Sequence, residues 1–319
     1  MRIILLCGGQ GARLWPLSYP GRTKPFIPLF DGPDGKQSAI QRIWKQLERS
    51  GLSRFVRIVI GADQEQILLD QLGTAAHYVI EPEGRGTYPA VVYAAADLFD
   101  GDDADEVVIS MPADLDVDDS FYEHVLALER QLIQSEAQLG LLGVKPTEVS
   151  SKYGYMVPQP KESRAALLRI DHFVEKPAMD EAMQLIAQGA LWNCGVTAMR
   201  VSYLKAQLEQ DGVVPGNEGI AACVGDLNGT SIDCKLLQHA VDIIALPYEG
   251  KWTDVGSWET LAQAWEASAN QSGISGEYQN INVINDTELT VKVDGLSDLL
   301  VVVSAAGILI RKQSPSNFR

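Results

Sequence analysis

The 319-residue sequence has no apolar run long enough to cross a membrane, few cysteines and histidines, and a shortage of positive charge. A membrane-spanning helix needs about 18 or more consecutive apolar residues, and no segment approaches that length. The 26 Lys and Arg residues against 42 Asp and Glu residues leave a net charge of −16. A field of that sign repels nucleic acid phosphates and anionic lipid headgroups. We therefore expect neither a nucleic acid nor a membrane as a partner.

The four cysteines and four histidines form no grouping with the spacing of a soft-metal site. There is no CxxC pair, and no HxH or HxxxH pattern that would place two imidazoles together. The opening apolar run is too short for a secretion signal and has no small-residue cleavage site. These features are typical of a cytoplasmic protein with reduced thiols. Any metal would be a hard cation bound by carboxylates and substrate oxygens.

With 46% hydrophobic and 21% charged residues, the chain has the composition of a globular protein. Its first two-thirds alternate short apolar runs with amphipathic helical patterns. Arg2–Leu6 is followed by Ala39–Arg49, and Val107–Met111 is followed by Phe121–Gln134. This alternation predicts an α/β fold with a Rossmann-like, mixed but mostly parallel sheet that is flanked by helices.

After Ser272 the helical pattern gives way to short β runs that are separated by Asn, Asp and Gly. We therefore predict a main domain over residues 1–270 and a small C-terminal unit over residues 271–319, β-rich and β-helix-like. A unit of this size cannot bury a large core by itself, so it should lean on the main domain or on another subunit. Its β runs are compatible with a homodimer.

The strongest local signal is the glycine-rich turn Gly8-Gly9-Gln10-Gly11, directly after the first predicted strand. Such a turn lets backbone N–H groups approach phosphate oxygens closely. No third glycine completes a dinucleotide-binding fingerprint, and no Gly-Lys-Ser/Thr completes a P-loop. Residues 1–30 hold no acid but four cations, which favours an anionic ligand there: Arg2, Arg13, Arg22 and Lys24.

Seven motifs resemble those of sugar nucleotidyltransferases, in the family's order and along nearly the whole chain. They are GGxGxRLWPLS…KPF from Gly8 to Phe26, Glu81–Ala90, Pro112–Asp114, Tyr153–Tyr155, Phe173–Pro177, Trp192–Gly195 and Trp252–Trp258. The Trp-Pro form of the first motif is similar to that of mannose-1-phosphate guanylyltransferases. The resemblance implies a reaction of GTP with α-D-mannose 1-phosphate that gives GDP-mannose and pyrophosphate, with Mg²⁺ as cofactor.

The resemblance also implies roles for residues that handle phosphate charge. Catalysis of phosphoryl transfer consists mainly of positioning the reactants and neutralising their charge. Arg13 would stabilise the pyrophosphate leaving group, Lys24 would lie near the α-phosphate, and Asp114 and Asp254 would hold Mg²⁺. Asp114 would thereby also count as catalytic, although a structural turn aspartate is the alternative. The nucleotide-binding residues would be Gly8, Gly9, Gln10, Gly11, Arg85 and Thr87.

A second set of residues would bind the sugar phosphate. Lys176 would contact the phosphate, while Glu175 and Asn193 would form hydrogen bonds with sugar hydroxyls, as carboxylate and amide groups can. Gly154 would let the sugar lie against the backbone. The alternative for Glu175 and Lys176 is an exposed ion pair at the end of a strand.

Several positions depart from the family pattern. Leu115 stands where the family has His, Gly86 where it has Asn, and Tyr88 where it has Ala. Gln238 and His239 replace a Glu-Lys pair. Because these positions lie around the base and sugar pockets, two alternatives stay open. One is the same reaction with another sugar 1-phosphate or nucleotide, and the other is a non-catalytic regulatory relative that binds a nucleotide sugar.

Overall fold

The computed structural model describes residues 1–8, 14–33, 35–82, 84, 86–101, 106–160, 166–216, 218–220, 227, 229–254, 258, 261, 274–275 and 278–312. The strands before residue 260 are β1 (Arg2–Leu6), β2 (Pro28–Gly32), β3 (Gly35–Ser38), β4 (Val56–Ile60), β5 (Tyr78–Ile80), β6 (Val107–Pro112), β7 (Leu115–Val117), β8 (Leu139–Val144), β9 (Gly154–Pro158), β10 (Leu168–Glu175), β11 (Leu191–Arg200), β12 (Ile243–Tyr248) and β13 (Trp252–Asp254). The helices are α1 (Ala39–Arg49), α2 (Glu65–Leu72), α3 (Thr87–Ala94), α4 (Ser120–Gln134), α5 (Met179–Ala187) and α6 (Val201–Gln210). None of the helices in these ranges combines the length and the apolar character that crossing a bilayer requires.

Nine strands form the central sheet, in the order β5-β4-β1-β6-β11-β8-β12-β10-β9. The first four neighbours are parallel to one another, and so are β8 and β12. β11 runs antiparallel to both of its neighbours, and β10 runs antiparallel to both of its own. Only these two of the nine strands therefore oppose the common direction. The expected mixed, mostly parallel sheet is confirmed.

Helices cover both faces of the sheet. Along β1 the side chains alternate, with Ile3 and Leu5 in one hydrophobic cluster and Ile4 in another. The first cluster includes apolar residues of α1, α2, α4 and α5, and the second includes those of α3 and α6. Because neighbouring strand residues point to opposite faces, the sheet lies between two helical layers.

Helix α1 has the predicted bounds, and its beginning is set by a capping motif in the local sequence. The Ser38 hydroxyl accepts a hydrogen bond from the Gln41 backbone N–H, and the Gln41 side chain accepts one from the Ser38 N–H. This capping box satisfies two N–H groups that a helix start leaves unpaired. Ile40, Ile43 and Leu47 then form the buried face at helical spacing.

Strand β11 was not predicted, although it is the longest strand of the central sheet. Eight of its ten residues are buried. A strand that is covered on both faces is identified in a sequence by a continuous apolar run, as β6 is, and in β11 that run is interrupted by Asn193, Gly195 and Thr197.

The C-terminal unit consists of β14 (Ile274–Ser275), β15 (Tyr278–Asn285), β16 (Val291–Lys292), β17 (Leu296–Ser304) and β18 (Gly307–Lys312). β14 pairs with β16 and β15 with β17, both in parallel, and β18 closes the edge in antiparallel orientation. The expected β-rich C-terminal region is confirmed, and its two parallel pairs each join alternate strands.

The C-terminal unit contacts the segment that follows the glycine-rich turn. Leu14 and Leu17 share a hydrophobic cluster with Leu300 and Val302. The Ser304 hydroxyl also donates a 2.5 Å hydrogen bond to the carbonyl oxygen of residue 16. The unit therefore leans on the main domain, as expected. The boundary near residue 270 falls outside the described residues and stays a prediction.

Candidate active site

Four strands that run in parallel, β1, β4, β5 and β6, end at one edge of the sheet. The Glu81 N–H donates to the carbonyl of Ile60 at 2.9 Å, and the Ala113 N–H donates to that of Leu6 at 3.1 Å. The residues that follow these strands are thereby drawn together, which is where open α/β sheets bind ligands. We call the group at this edge the Lys24 cluster: Gly8, Lys24, Glu81 and Asp114.

Lys24 and Asp114 form an ion pair with 2.6 Å between Nζ and Oδ2, and their side chains are only 13% and 24% exposed. The chain before Lys24 is held against the end of β1. The Thr23 hydroxyl donates to the Cys7 carbonyl at 3.3 Å, and the Gln64 amide donates to the Thr23 hydroxyl at 3.0 Å. The predicted catalytic lysine and the predicted metal-binding aspartate are therefore in direct contact.

Burial at this edge of the sheet changes the pKa of two further groups, the Cys7 thiol and the Glu81 carboxyl group. Burial, with a contribution from the Asp114 charge, raises the pKa of the Cys7 thiol, so Cys7 is not a nucleophile at neutral pH. Burial also raises the pKa of Glu81. A Cβ atom on Gly8 would lie 3.3 Å from Glu81 Oε1. Glu81 was not predicted as a site residue, although it begins the second motif.

The acids that follow β6 have separate contacts. Asp116 pairs with basic side chains, and Asp119 forms a bidentate pair with Arg49. Asp118 accepts hydrogen bonds from the first residue of α4, which lower its pKa to about 2. Asp114 is the acid in this group that contacts Lys24. The catalytic and metal-binding roles of Asp114 stay predictions.

Asp254 is brought to the same edge by its backbone. β13 pairs with β7 in antiparallel orientation, with Asp254 opposite Leu115. Paired residues of this kind have Cα atoms about 4.5–5.5 Å apart, and Leu115 is the immediate neighbour of Asp114. The Asp254 side chain lies outside the described part of the structure. Leu115 is only 3% exposed and packs in the core, so its departure from the family pattern serves packing.

A second group, the Asn193 cluster, lies where β9, β10 and β11 meet: Gly154, Glu175, Lys176, Asn193 and Asp233. Glu175 pairs with Gly154 across the two strands. A Cβ atom on Gly154 would lie 2.8 Å from Glu175 Oε2 and closer still to the Phe173 ring, so only glycine fits there. Lys176 follows with a φ of +46°, and its side chain is 60% exposed and paired with Glu175.

The Asn193 amide is bound at both ends. Its oxygen accepts the Gly195 N–H at 3.0 Å, and its nitrogen donates to Asp233 Oδ1 at 3.0 Å. Asp233 begins a π-helical turn, Asp233–Leu237. Burial, and then the Glu175 charge, raise the pKa of Asp233 to about 6. No role was predicted for Asp233 from the sequence.

Thr87 connects this turn to α3. Its hydroxyl oxygen accepts the Ile232 backbone N–H at 2.9 Å. The structure thus places Gly8, Lys24 and Asp114 in one cluster, and Gly154, Glu175, Lys176 and Asn193 in the other. The remaining predicted residues lie outside the described residues: Gly9, Gln10, Gly11, Arg13 and Arg85.

A sequence profile for nucleotidyl transferases matches residues 2–271. The chain belongs to the nucleotidyl transferase family. This nucleotidyl transferase is 27% identical to mannose-1-phosphate guanylyltransferase RfbM of Salmonella typhimurium, over 96% of this chain and 68% of the relative. It is 29% identical to the alginate biosynthesis protein AlgA of Pseudomonas putida, over 96% of this chain and 67% of the relative. The predicted family is confirmed.

Solved structures give the same result. A structure described as mannose-1-phosphate geranyltransferase from Thermus thermophilus superposes with a TM-score of 0.75 at 27% identity, covering 98% of this chain and 94% of that one. UDP-glucose pyrophosphorylase complexed with UDP-glucose superposes with a TM-score of 0.56 at 19% identity, covering 84% and 97%. The second likeness concerns the fold alone.

Proposed function

We propose that this nucleotidyl transferase joins GTP and α-D-mannose 1-phosphate to form GDP-mannose and pyrophosphate. The contact between Lys24 and Asp114, at the sheet edge where β1 and β6 end, carries the proposal. It places a cation and a carboxylate at the edge of the sheet where Gly8, the first residue of a glycine-rich segment that suits phosphate groups, follows β1. The choice of GTP and mannose 1-phosphate is supported by the name of the RfbM relative.

In this reaction a phosphate oxygen of the sugar 1-phosphate attacks the α-phosphorus of GTP. A new P–O bond forms, the bond to the β-phosphate oxygen breaks, and pyrophosphate leaves with that electron pair. The Lys24 ammonium would attract the α-phosphate oxygens and stabilise the charge that accumulates there. Asp114 holds the flexible lysine stem in place before the substrates bind, so less side-chain order is lost at that moment.

Asp114 and Asp254 are the residues proposed to hold Mg²⁺. Among the residues that the structure describes, no group of three or more His, Cys, Asp or Glu side chains could hold a metal ion. Two carboxylates with substrate phosphates are nevertheless a common ligand set for Mg²⁺, and the β7–β13 pairing brings the two backbones together. When bound, the ion would neutralise phosphate charge.

The Asn193 cluster would bind the sugar phosphate. Glu175 offers carboxylate oxygens as acceptors, and Asn193 offers an amide hydrogen as a donor for sugar hydroxyls. The exposed Lys176 ammonium would meet the phosphate, and it would have to leave Glu175 to do so. Gly154 leaves room for the Glu175 carboxylate and the Phe173 ring, which occupy the place of a Cβ atom.

The proposal is tested by measuring pyrophosphate release from each nucleoside triphosphate with a panel of sugar 1-phosphates, with and without Mg²⁺. GTP with mannose 1-phosphate should give the highest kcat/KM, and turnover should depend on Mg²⁺. A higher kcat/KM for another pair would overturn the substrate assignment and leave the reaction class standing. Binding without turnover for every pair would support the regulatory alternative.

A further inference from the structure

Asp233 is a largely buried carboxyl group to which the proposed chemistry gives no role. We propose that Asp233 is a positioning residue that orients the Asn193 amide toward the sugar and so helps to determine which sugar 1-phosphate is accepted. This inference rests on the proposed function, because it takes the Asn193 cluster to be the sugar site. It is carried by the hydrogen bonds on the two ends of the Asn193 side chain.

A side-chain amide offers one oxygen as an acceptor and two N–H groups as donors. In Asn193 the oxygen accepts the Gly195 N–H, and one N–H donates to Asp233. A flipped amide would place its oxygen against the carboxylate and its NH₂ group against an N–H, so both contacts would become repulsive. One amide orientation is thereby selected. The second N–H is left in a defined direction, and it is the donor that the proposed function assigns to a sugar hydroxyl.

The carboxyl group of Asp233 is itself held in place by contacts of its turn. The Ile232 N–H donates to Thr87 at 2.9 Å, and the Tyr88 N–H donates to the Thr230 carbonyl at 3.2 Å. Both contacts are made by the beginning of α3, the helix that carries the predicted nucleotide-binding Thr87. The orientation of Asn193 therefore depends on an element of the nucleotide side, although Asn193 lies on β11.

The charges around Asp233 distinguish a positioning role from a role in stabilising the fold. Asp233 is faced by Glu175 and Lys176 at the end of β10, and Lys235 on its own turn is paired with Asp211. Burial and the Glu175 charge disfavour the ionised form of Asp233. An ionised carboxylate in this place is a cost to the folded protein at neutral pH. Removing its charge should therefore not lower the melting temperature, whereas removing a stabilising residue would.

The test compares Asp233→Ala and Asp233→Asn with the control Asp211→Asn. Asp211 contacts the same turn through Lys235 and has no hydrogen bond to Asn193 among those described. Asp233→Ala should raise the KM for mannose 1-phosphate about tenfold, since one hydrogen bond to a charged group is lost and the amide can turn. The KM for GTP should change by less than about twofold. Asp233→Asn, which can still accept the hydrogen bond, should recover most of the loss, and Asp211→Asn should resemble the wild type.

A double-mutant cycle with Asn193→Ala shows whether Asp233 acts through Asn193. If it does, Asp233→Ala should have little further effect on the sugar-phosphate KM once Asn193 is truncated. Deoxy analogues of mannose 1-phosphate give a second readout. Wild-type protein should discriminate against the analogue that lacks the hydroxyl bound by Asn193, and Asp233→Ala should lose that discrimination.

Three results would overturn the inference: additive effects of the two substitutions, equal rises in both KM values, or a lower melting temperature with an unchanged sugar-phosphate KM. Failure of the proposed function appears separately, as turnover of another sugar 1-phosphate by the wild type. The effects of Asp233→Ala on the KM for the sugar 1-phosphate and on the KM for GTP are then compared with that sugar 1-phosphate as substrate. If the wild type binds without turnover, calorimetric Kd values for mannose 1-phosphate and GTP replace the KM values.

Discussion

The Lys24 cluster and the Asn193 cluster lie on one sheet but are built in different ways. In the first, parallel strands end side by side, and two opposite charges meet directly at 2.6 Å. In the second, antiparallel strands meet, and a neutral amide lies between a backbone N–H and a buried carboxyl group. The first arrangement concentrates charge, and the second sets the direction of a hydrogen bond.

This difference determines which kinetic parameter a substitution in each cluster should change. A charged group aimed at the reacting phosphate acts mainly on the transition state, so its loss lowers kcat. A group that binds a substrate equally well in the ground state and in the transition state acts on binding, so its loss raises KM. Kinetic parameters measured for one substitution in each cluster therefore test the comparison directly.

The largest effect is expected for Asp114→Asn. The substitution keeps the side-chain size, and it removes the partner of Lys24 and one proposed Mg²⁺ ligand. We expect kcat to fall by about 10²–10³, a loss of about 3–4 kcal/mol of transition-state stabilisation. Steady-state kinetics at saturating substrates measure it. The control is Asp31→Asn, which removes an ion pair with Lys36 on the β2–β3 hairpin. A kcat near that of the wild type would remove Asp114 from the reaction.

Lys176→Ala should act on binding. Loss of a charge-assisted contact of about 1.5–3 kcal/mol raises the KM for the sugar 1-phosphate by about 10- to 150-fold, while the KM for GTP changes little. Both side chains have a Cβ, so the strain of the +46° φ is the same in both proteins. Initial rates over a matrix of both substrates separate the two KM values. Lys205→Ala, which removes an exposed lysine that contacts the Gly101 carbonyl, is the control. Equal changes in both KM values would place Lys176 outside the sugar site.

Gly86→Asn restores the family residue at the beginning of α3, where the chain contacts the Thr230 segment that leads to Asp233, and it should destabilise the protein. Gly86 has a φ of +109° and a ψ of 173°, a region that is nearly exclusive to glycine. A Cβ atom there would lie 2.7 Å from the Thr230 carbonyl oxygen. We expect the free energy of unfolding to fall by about 2 kcal/mol, as measured by denaturant titration.

The matched control for this substitution is Gly51→Asn. Gly51 has a φ of +71°, which asparagine tolerates, and nothing lies within 4 Å of a Cβ placed there. Equal stability of the two variants would mean that the segment around Thr230 can move away from α3. The contact between α3 and the turn that carries Asp233 would then be looser than the structure indicates.

The smallest effect is expected in the pH dependence of stability of Asp233→Asn. The pKa of Asp233 is raised to about 6 from the usual value of 3.8, so the folded state binds the proton more tightly than the unfolded state. Its contribution to stability is present below about pH 4 and is lost as the pH rises through about 6. We expect the variant to gain about 1 kcal/mol relative to the wild type between pH 4 and pH 7, after relaxation of the site. Denaturant titrations at several pH values measure this, and a constant difference would contradict it.

Much of the Lys24 cluster could be predicted, because each of its motifs follows an apolar strand and has a recognisable local pattern. The role of Asp233 could not be predicted in this way. Its partner Asn193 is 40 residues away and lies on β11, whose apolar run is interrupted by polar and small residues. The sequence shows that Gly86 and Leu115 depart from the family pattern, but it does not show why. In the structure Gly86 avoids a clash with the Thr230 backbone, and Leu115 fills the core.

By itself, the sequence determined the α/β class, the order of the motifs, the capped beginning of α1 and the strongly negative charge. Each of these depends on composition or on residues that are close along the chain. Three features depend on the tertiary structure: the contact of Asp114 with Lys24, the single orientation of the Asn193 amide, and the partial burial of Asp233 beside Glu175. Hydrogen-bond partners and pKa values depend on desolvation and on charges that folding brings together from distant parts of the chain.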